Sequence, residues 1–501
     1  MDSNFFKKHF FFSGWLNTWR PYFLFFLIIF IIYGQTLFFG LTYWDDNALI
    51  IDNQEILSDF RNIKTIFSTD AFFSDNKFYY RPMLNLSFMV DAQLGHLNYA
   101  VYHISNLLWH LLAISLLFLI LKRLFKKPPL AFYLTLVFLV HPVLTQAVAW
   151  LPGRNDSLVT VFILLAFWFF LNFVDKYKLS SFLLYLVFFW LALLSKETSV
   201  FFPLLLVVYF FTIGKEKKIA RSDQGLILIG SAAVGFIWFL MRYFALQGEK
   251  ISTESALISV FHNLPAALAM GAKMILPFNL SVLPVAADTN FIFSLIAWPA
   301  LILVILLSRR KNLNYLIFGI AWFLIFFLPP FIVSTAAPYL LEHRLYLPLI
   351  GFLIALFSFD SIRNLDWNKK IVWSVGALIL CLFSSITIWH SRDFKEPLIF
   401  WQAAIKDSPH SPLANRNLGV MYYFNNDIAN SEKYYRASLT LNPDEPMVHN
   451  NLGVIYMGQK RFKEAEEEFN KELEINPGYD KATYNLNDLK LRESDLLILK
   501  K

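Results

Sequence analysis

Apolar runs long enough to cross a lipid bilayer recur through the first 390 residues, and they constrain the fold more than any other feature. A membrane-spanning helix needs roughly 20 mostly apolar residues, and 57% of the 501 residues are hydrophobic while only 16% are charged. A soluble core does not need so much apolar surface, so the sequence predicts an all-α, polytopic membrane helix bundle. The predicted spans number eleven: 21–39, 103–121, 130–149, 157–174, 181–195, 198–213, 225–245, 290–307, 313–331, 345–360 and 371–389.

Basic residues gather in alternate loops between these runs, in a chain whose net charge is +7. Lys and Arg are retained on the cytoplasmic side of membranes, so the clusters predict a cytoplasmic N-terminus and an extracytoplasmic C-terminus. This alternation requires that segment 264–284, which three prolines and Lys273 interrupt, lies within an outer loop. The predicted localisation is the inner (plasma) membrane, with an uncut first span. The basic clusters are Lys7, Lys8 and Arg20, and the segments 122–127, 175–178, 214–221, 309–311 and 362–370.

A 34-residue repeat occupies the C-terminal part of the chain. The stretch "NLGVMYY" at Asn417 recurs as "NLGVIYM" at Asn451, and "LNP" ending at Pro443 recurs as "INP" ending at Pro477. This period and pattern are typical of tetratricopeptide repeats, which stack as an α-solenoid. We predict a membrane domain over 1–390 and a repeat domain over 391–501. Within the latter, full repeats cover about 412–445 and 446–479, a partial unit precedes them and a capping helix follows.

Two adjacent carboxylates, Asp45 and Asp46, follow the first span in the stretch "GLTYWDDNALIIDNQEI". Asp is favoured at helix N-termini, so both could simply bound or cap an interfacial helix. The alternative is a general base at the membrane surface, because neighbouring carboxylates raise one another's pKa and a base works best near neutral pH. The sequence leaves both interpretations open.

Further charged residues lie at the ends of spans on the predicted outer side, where they cost free energy and indicate function. Simpler roles remain for several of them, such as a turn with a helix cap at 154–156 or a short loop at 196–197. The candidates are Arg81 in "YYRPM", Arg154 and Asp156 in "PGRND", Lys196 and Glu197 in "LSKETS", and Glu342, His343, Arg344 and Tyr346 in "EHRLYLP".

A carboxylate and several cations around one outer membrane surface suit group transfer from a lipid-linked phosphate donor. Cations stabilise the leaving phosphate, and one general base removes the proton of an acceptor hydroxyl. Asp45, Asp46 and His103 could approach one another, but their spacing matches no metal-ligand pattern. We therefore predict no metal ligands and no resident cofactor, and the need for a divalent metal stays undecided.

The ordered set of motifs resembles one family. The stretches "YWDDNALIIDNQEI", "YYRPMLNLSFMVDAQLGHLNYAVYHISNLLWH", "HPVLTQAVAWLPGRNDSL", "LLSKETSVFFPLL" and "EHRLYLPLIGF", followed by the repeats, are similar to the transmembrane and tetratricopeptide-repeat-containing (TMTC-type) proteins and their prokaryotic relatives. These are GT-C glycosyltransferases, related to the protein O-mannosyltransferases. The resemblance covers nearly the whole chain.

The resemblance implies an inverting transfer from a polyprenyl- or dolichyl-phosphate-linked sugar. Asp45 would be the general base, Asp46 its partner, and Asp156 the family's acid after the third span. Arg344 and His343 stand at the family's Glu-Arg motif and would contact the donor phosphate. The order here is Glu-His-Arg, so the motif leaves open which side chain meets the phosphate. The remaining candidates are assigned as further phosphate contacts, Arg81 and Lys196, and as supporting residues, Arg154, Glu342, Glu197 and Tyr346.

The sequence therefore predicts an integral-membrane glycosyltransferase of mannosyltransferase type. Its expected partners are membrane lipid, the polyprenyl-phosphate-linked sugar, a protein or glycan acceptor and a protein bound by the repeats, with no nucleic acid. A non-enzymatic scaffold that displays the repeats for envelope assembly is the first alternative. A lipid-linked-sugar transporter is the second, and it would need polar residues through the bilayer midplane.

Overall fold

The computed structural model describes residues 14–74, 78–247, 256–308, 310–331, 340–367 and 369–499. Its regular elements are helical, which confirms the all-α prediction. The chain divides into two compact units, residues 1–280 with 290–395, and residues 281–289 with 396–501. Lys7 and Lys8 lie outside the described residues, and the orientation that they were used to predict stays a prediction.

The first unit is a bundle of apolar helices. Each of the eleven predicted spans contains a helix. Within the described residues, six helices are long and apolar enough to cross a membrane, and a seventh span results if a pair bent by 53° is counted. The chain is thus a multi-pass membrane protein, and the count of eleven spans stays a prediction. The six are Arg20–Phe38, Tyr99–Phe125, Leu151–Lys176, Arg221–Ala245, Leu313–Phe331 and Lys370–Phe394, and the bent pair is Pro128–Val140 with Pro142–Ala149.

Shorter helices complete this unit. The apolar helices Leu179–Leu193, Glu197–Phe211 and Ile292–Leu307 correspond to three further predicted spans, and Tyr346–Phe357 to a fourth. Helix Ala256–Ala272 contains Pro265 and ends just before Lys273. Helices 313–327 and 346–357 approach closely, because a Cβ on Gly319 would lie 2.4 Å from the backbone nitrogen of Ala355. Small residues permit such contacts between membrane helices.

Two helices form the centre of the bundle. In Tyr99–Phe125 and Leu151–Lys176, 56% and 78% of the most apolar window is buried, against 17% in Arg221–Ala245 and in Lys370–Phe394. The outer helices expose large apolar side chains such as Ile229 and Leu378. Lipid chains accept that surface as readily as protein does, which is the expected arrangement of a membrane bundle.

The segment between the first two spans folds into its own small layer. Short helices Gln54–Leu57 and Ile63–Ser68 pack with the longer helix Pro82–Gly95 around an apolar core that includes Leu57, Ile66 and Phe88. Pro at the first helical position starts the helix at Pro82, because proline lacks the N–H that a helix start leaves unpaired. The carboxylate of Asp70 accepts from the Tyr79 backbone N–H at 2.8 Å and so fixes the backbone two residues before Arg81.

The second unit confirms the repeats. Helix pairs 412–424/428–441 and 448–458/462–475 follow helix Pro397–Asp407 and precede helix Asp480–Leu499. The repeat glycines allow the two helices of a pair to touch, since a Cβ on Gly453 would lie 2.6 Å from the ring of Phe469. Buried Glu472 accepts from the backbone N–H of Met447 at 2.8 Å, at the start of helix Val448–Gly458.

Candidate functional site

Asp46 is a structural residue of the loop after the first span. It is 1% exposed, and its carboxylate accepts from the N–H and the hydroxyl of Thr42 at 2.5 and 2.9 Å. It also accepts from the N–H groups of Trp44 and Asn47, both at 3.0 Å. A carboxylate saturated in this way holds the loop and caps the turn that starts at Asn47.

Asp45 differs from its neighbour. Its side chain is half-buried, and the described part of the chain donates no hydrogen bond to it. Burial and the negative charge of Asp46 raise the pKa of Asp45 to about 7, although the positive charge of Arg81 opposes the shift. A carboxylate with this pKa exchanges a proton readily near neutral pH.

Arg81 lies at the meeting point of three segments. Its guanidinium donates to Glu197 Oε2 from Nε at 3.1 Å and from Nη2 at 3.0 Å, and stacks 4.4 Å from the centre of the Tyr79 ring. With its amide oriented to satisfy both neighbours, Asn155 accepts from Arg81 Nη1 at 3.1 Å and donates to the Ser195 carbonyl at 2.7 Å. Arg242 approaches the other oxygen of Glu197 at 3.6 Å.

Lys196, Asp156 and His343 form a second group. The Lys196 ammonium donates to both carboxylate oxygens of Asp156, at 2.7 and 2.8 Å, and His343 Nε2 lies 3.8 Å from Asp156 Oδ2. Burial lowers the pKa of Lys196, although the charge of Asp156 opposes this. The backbone N–H and the Nδ1 atom of His343 both contact the buried amide oxygen of Gln146.

Arg344 joins the two groups electrostatically. It is half-buried, and the charges of Asp156 and Arg81 and the hydroxyl of Tyr79 act on its guanidinium. Burial lowers its pKa, but a guanidinium stays charged at any physiological pH. The structure thus brings together seven of the predicted residues, which we call the charged cluster: Asp45, Arg81, Asp156, Lys196, Glu197, His343 and Arg344.

Three predicted residues serve elsewhere. Arg154 is fully buried and pairs with Asp91 at 2.5 Å. It also donates to Asn106 at 2.6 Å, and these contacts connect neighbouring helices. Glu342 accepts from Lys273 at 2.7 Å. Tyr346 is the third, and its hydroxyl lies 2.6 Å from His110 Nδ1 inside the bundle.

The structure also adds residues that the sequence did not single out. Asn155, Gln146 and Arg242 contact the cluster directly. Trp150 stacks on Trp44 with ring centres 5.0 Å apart, and lies 5.7 Å from the His343 ring. Asn155 stands inside the quoted "GRND" motif, and Arg242 is an arginine near the end of an apolar helix, so both offered a weak sequence signal.

The cluster combines a half-buried carboxylate with several cations. The cations can neutralise a phosphate, and the carboxylate can take a proton. Within the described residues, no group of three or more His, Cys, Asp or Glu side chains is placed to hold a metal ion.

Comparison with known proteins shows which proteins the chain is similar to. Residues 82–244, which include three of the seven residues of the charged cluster, match the model of the dolichyl-phosphate-mannose-protein mannosyltransferases. Residues 400–446 and 422–480 match a tetratricopeptide repeat model. Several protein O-mannosyl-transferases, TMTC proteins among them, also match the chain. The chain is similar to the TMTC-type GT-C proteins.

Three relatives illustrate the match. Protein O-mannosyl-transferase F38B6.6 of Caenorhabditis elegans is 25% identical over 418 residues, 77% of this chain and 58% of the relative. Protein O-mannosyl-transferase TMTC3 of Homo sapiens is 33% identical over 140 residues, 27% of this chain and 15% of the relative. TMTC1 of Mus musculus is 42% identical over 89 residues, 18% of this chain and 9% of the relative. The chain therefore spans less than two thirds of the length of each of these relatives.

Proposed function

We propose that this protein is a membrane glycosyltransferase that moves a sugar, mannose in the first instance, from a polyprenyl-phosphate donor to an acceptor hydroxyl. The observation that carries the proposal is the contrast between Asp45 and Asp46. The Asp46 carboxylate accepts four hydrogen bonds. The Asp45 carboxylate is half-buried near the cations and has a pKa of about 7. A scaffold protein has no need of such an arrangement.

Asp45 acts as the general base. The acceptor hydroxyl oxygen attacks the anomeric carbon of the donor sugar, and its proton passes to the Asp45 carboxylate. The bond between the anomeric carbon and the phosphate oxygen breaks, and the polyprenyl phosphate leaves with the bonding electron pair. Attack opposite the leaving group inverts the anomeric centre. Removal of the proton by a base typically contributes about 10²–10⁴-fold to the rate.

Arg344, Arg81 and Lys196 hold the donor phosphate. Arg81 and Lys196 are already paired with Glu197 and Asp156, so each is oriented before the donor arrives, and ammonium or guanidinium N–H groups beyond those pairs can reach phosphate oxygens. Arg344 and Arg81 are half-buried, whereas Lys196 is buried. Fixed cations around a leaving phosphate stabilise the charge that develops on it.

The chemistry takes place on the outer face of the inner (plasma) membrane, with the N-terminus in the cytoplasm. The acceptor is a protein or glycan, and the repeats bind the acceptor or a partner protein, because stacked helix pairs present an extended surface. Reporter fusions at Lys217 and Gly458 test this orientation. We expect a cytoplasmic signal at Lys217 and an outer signal at Gly458, and a cytoplasmic Gly458 would contradict the proposal.

Transfer by purified protein tests the proposed reaction. Asp45→Asn retains the shape of the side chain but cannot accept a proton, so we expect transfer from polyprenyl-phosphate mannose to fall about 10²–10⁴-fold while the donor still binds. Asp46→Asn should lose less activity per folded molecule. If Asp45→Asn turns over like wild type, Asp45 is not the base. If wild type transfers no sugar and the repeat domain alone supports function, the scaffold alternative holds.

A further inference from the structure

His343 and Gln146 fix the protonation of an imidazole inside the charged cluster. The backbone N–H of His343 lies 3.2 Å from Gln146 Oε1, and His343 Nδ1 lies 3.1 Å from the same atom. A backbone N–H can only donate, so the shared atom must be the amide oxygen rather than the amide nitrogen. An oxygen only accepts, and Nδ1 must therefore carry a proton.

The outer nitrogen of this ring is consequently an acceptor. In a neutral imidazole that is protonated at Nδ1, Nε2 has a lone pair. Burial, together with the positive charges of Lys196, Arg344 and Arg81, holds the pKa of His343 well below its usual range. A neutral His343 repels the oxygens of a phosphate with its lone pair, so it is unsuited to the phosphate contact that the sequence suggested.

The surroundings of Nε2 favour a ligand hydroxyl. Asp156 Oδ2 lies 3.8 Å from Nε2, and two lone-pair atoms at that separation do not bond to each other. Within the described part of the chain, no group donates to Nε2. A ligand hydroxyl offers one proton to Nε2, and its oxygen can accept from the Lys196 ammonium, which already holds Asp156 at 2.7 Å.

An aromatic wall stands beside this group. The Trp150 ring lies 5.7 Å from that of His343, and its indole N–H is occupied by the Thr42 hydroxyl at 3.1 Å. Trp44 stacks on Trp150, and its backbone N–H is held by Asp46. A sugar ring has both apolar and polar sides, whereas a phosphate is polar all round. Rigid aromatic rings beside His343 and Lys196 therefore suit a sugar better than a phosphate.

We infer that His343 Nε2 accepts a hydrogen bond from a hydroxyl of the donor sugar, beside Lys196 and Asp156. His343 thereby determines specificity for the sugar and does not bind the phosphate. This inference rests on the proposed function, and it changes the role of one residue there: Arg81 and Arg344 stay at the donor phosphate, while Lys196 moves from the phosphate to the sugar hydroxyl beside His343. His343 is a specificity-determining residue and takes no proton in the transfer.

Two variants of His343 separate the inner and outer nitrogens. Asn reproduces a donor near the Nδ1 position but has no atom where Nε2 lies, whereas Gln reaches the Nε2 position with an amide oxygen. We would measure binding of polyprenyl-phosphate mannose and of bare polyprenyl phosphate to the full-length protein in lipid nanodiscs. Thermal melting of each variant checks that it is folded.

The expected result is a change in the ratio of the two affinities. His343→Asn should lower the preference for the sugar-bearing lipid about tenfold, the usual effect of one lost hydrogen bond, and should leave binding of bare polyprenyl phosphate unchanged. His343→Gln should restore most of that preference. Equal losses for both lipids in His343→Asn, or an unchanged ratio, would overturn the inference. Wild type that binds neither lipid would instead contradict the proposed function.

Deoxy donors identify the hydroxyl. Among polyprenyl-phosphate mannoses that lack a single hydroxyl, one should bind wild type about tenfold more weakly and should bind His343→Asn as the full donor does. Two changes that remove the same contact do not add. If every deoxy donor loses the same factor in wild type and in the variant, His343 contacts none of these hydroxyls and the inference fails.

Discussion

Asp45 and Asp46 are adjacent in the chain, yet their carboxylates lie in different environments in the folded protein. Asp46 is buried and receives four hydrogen bonds from its own loop, while Asp45 receives none from the described residues and lies near the charge of Arg81. The capping role that the sequence left open thus belongs to Asp46, and the proposed general base is Asp45.

Stability should distinguish the two carboxylates. Asp46→Asn places an NH₂ group against N–H donors of the loop, and leaving buried partners unsatisfied costs about 1–3 kcal/mol. Asp45→Asn should be at least as stable as wild type at pH 8, because ionised Asp45 is disfavoured by burial. Thermal melting of both variants in the same nanodiscs measures this, and a larger loss for Asp45→Asn would contradict the assignment.

The pH dependence of transfer should report Asp45. A general base must be ionised, so kcat/KM should rise as the pH increases through about 7, the pKa of Asp45. Asp46→Asn removes a negative charge that raises this pKa, and the rising limb should move to lower pH. A limb that does not respond to Asp46→Asn would assign the titration to another group.

Ionisation of Asp45 should also make the free energy of unfolding depend on pH. Its pKa in the folded protein, about 7, lies above the ordinary value of 3.8, so the folded state holds the proton more tightly than the unfolded state does. Its contribution to the free energy of unfolding therefore falls as the pH rises from about 4 to about 7. Asp45→Asn should flatten this part of the pH–stability curve, and an unchanged curve would contradict the raised pKa.

Arg344 should contribute to donor affinity. Loss of a charge-assisted hydrogen bond costs about 1.5–3 kcal/mol, so Arg344→Ala should weaken binding of bare polyprenyl phosphate roughly 10- to 100-fold. Lys217→Ala is a matched control, because it removes a positive charge from the predicted cytoplasmic side. An unchanged affinity in folded Arg344→Ala would assign the phosphate to Arg81 alone.

Close packing in the repeats can be tested with two glycines of one helix. A Cβ on Gly453 would lie 2.6 Å from the Phe469 ring, whereas one on Gly458 would meet nothing within 4 Å. Gly453→Ala should destabilise the repeat unit by about 1–3 kcal/mol through overpacking, and Gly458→Ala should not. Melting of the full chain, followed by proteolysis of the repeats, compares the two variants, and equal stabilities would contradict this packing.

Much of the architecture follows from local patterns in the sequence. Apolar runs of bilayer length predict membrane helices, because no other open structure satisfies its backbone in lipid. The 34-residue period predicts stacked helix pairs, and the paired glycines Gly419 and Gly453 repeat with it. The ordered motifs were sufficient to indicate the family. These features depend on residues close together in the chain, so the sequence alone determines them.

The composition of the site depends on contacts between distant residues. Arg81 and Glu197, 116 positions apart, and Lys196 and Asp156, 40 positions apart, pair only because their helices end on the same side of the bundle. Tertiary packing also decided which charges are buried. Arg154 is enclosed with Asp91 and Glu342 with Lys273, since a buried charge requires a nearby partner. Only the folded arrangement places Asp45 near the charge of Arg81 without a hydrogen bond from the described residues.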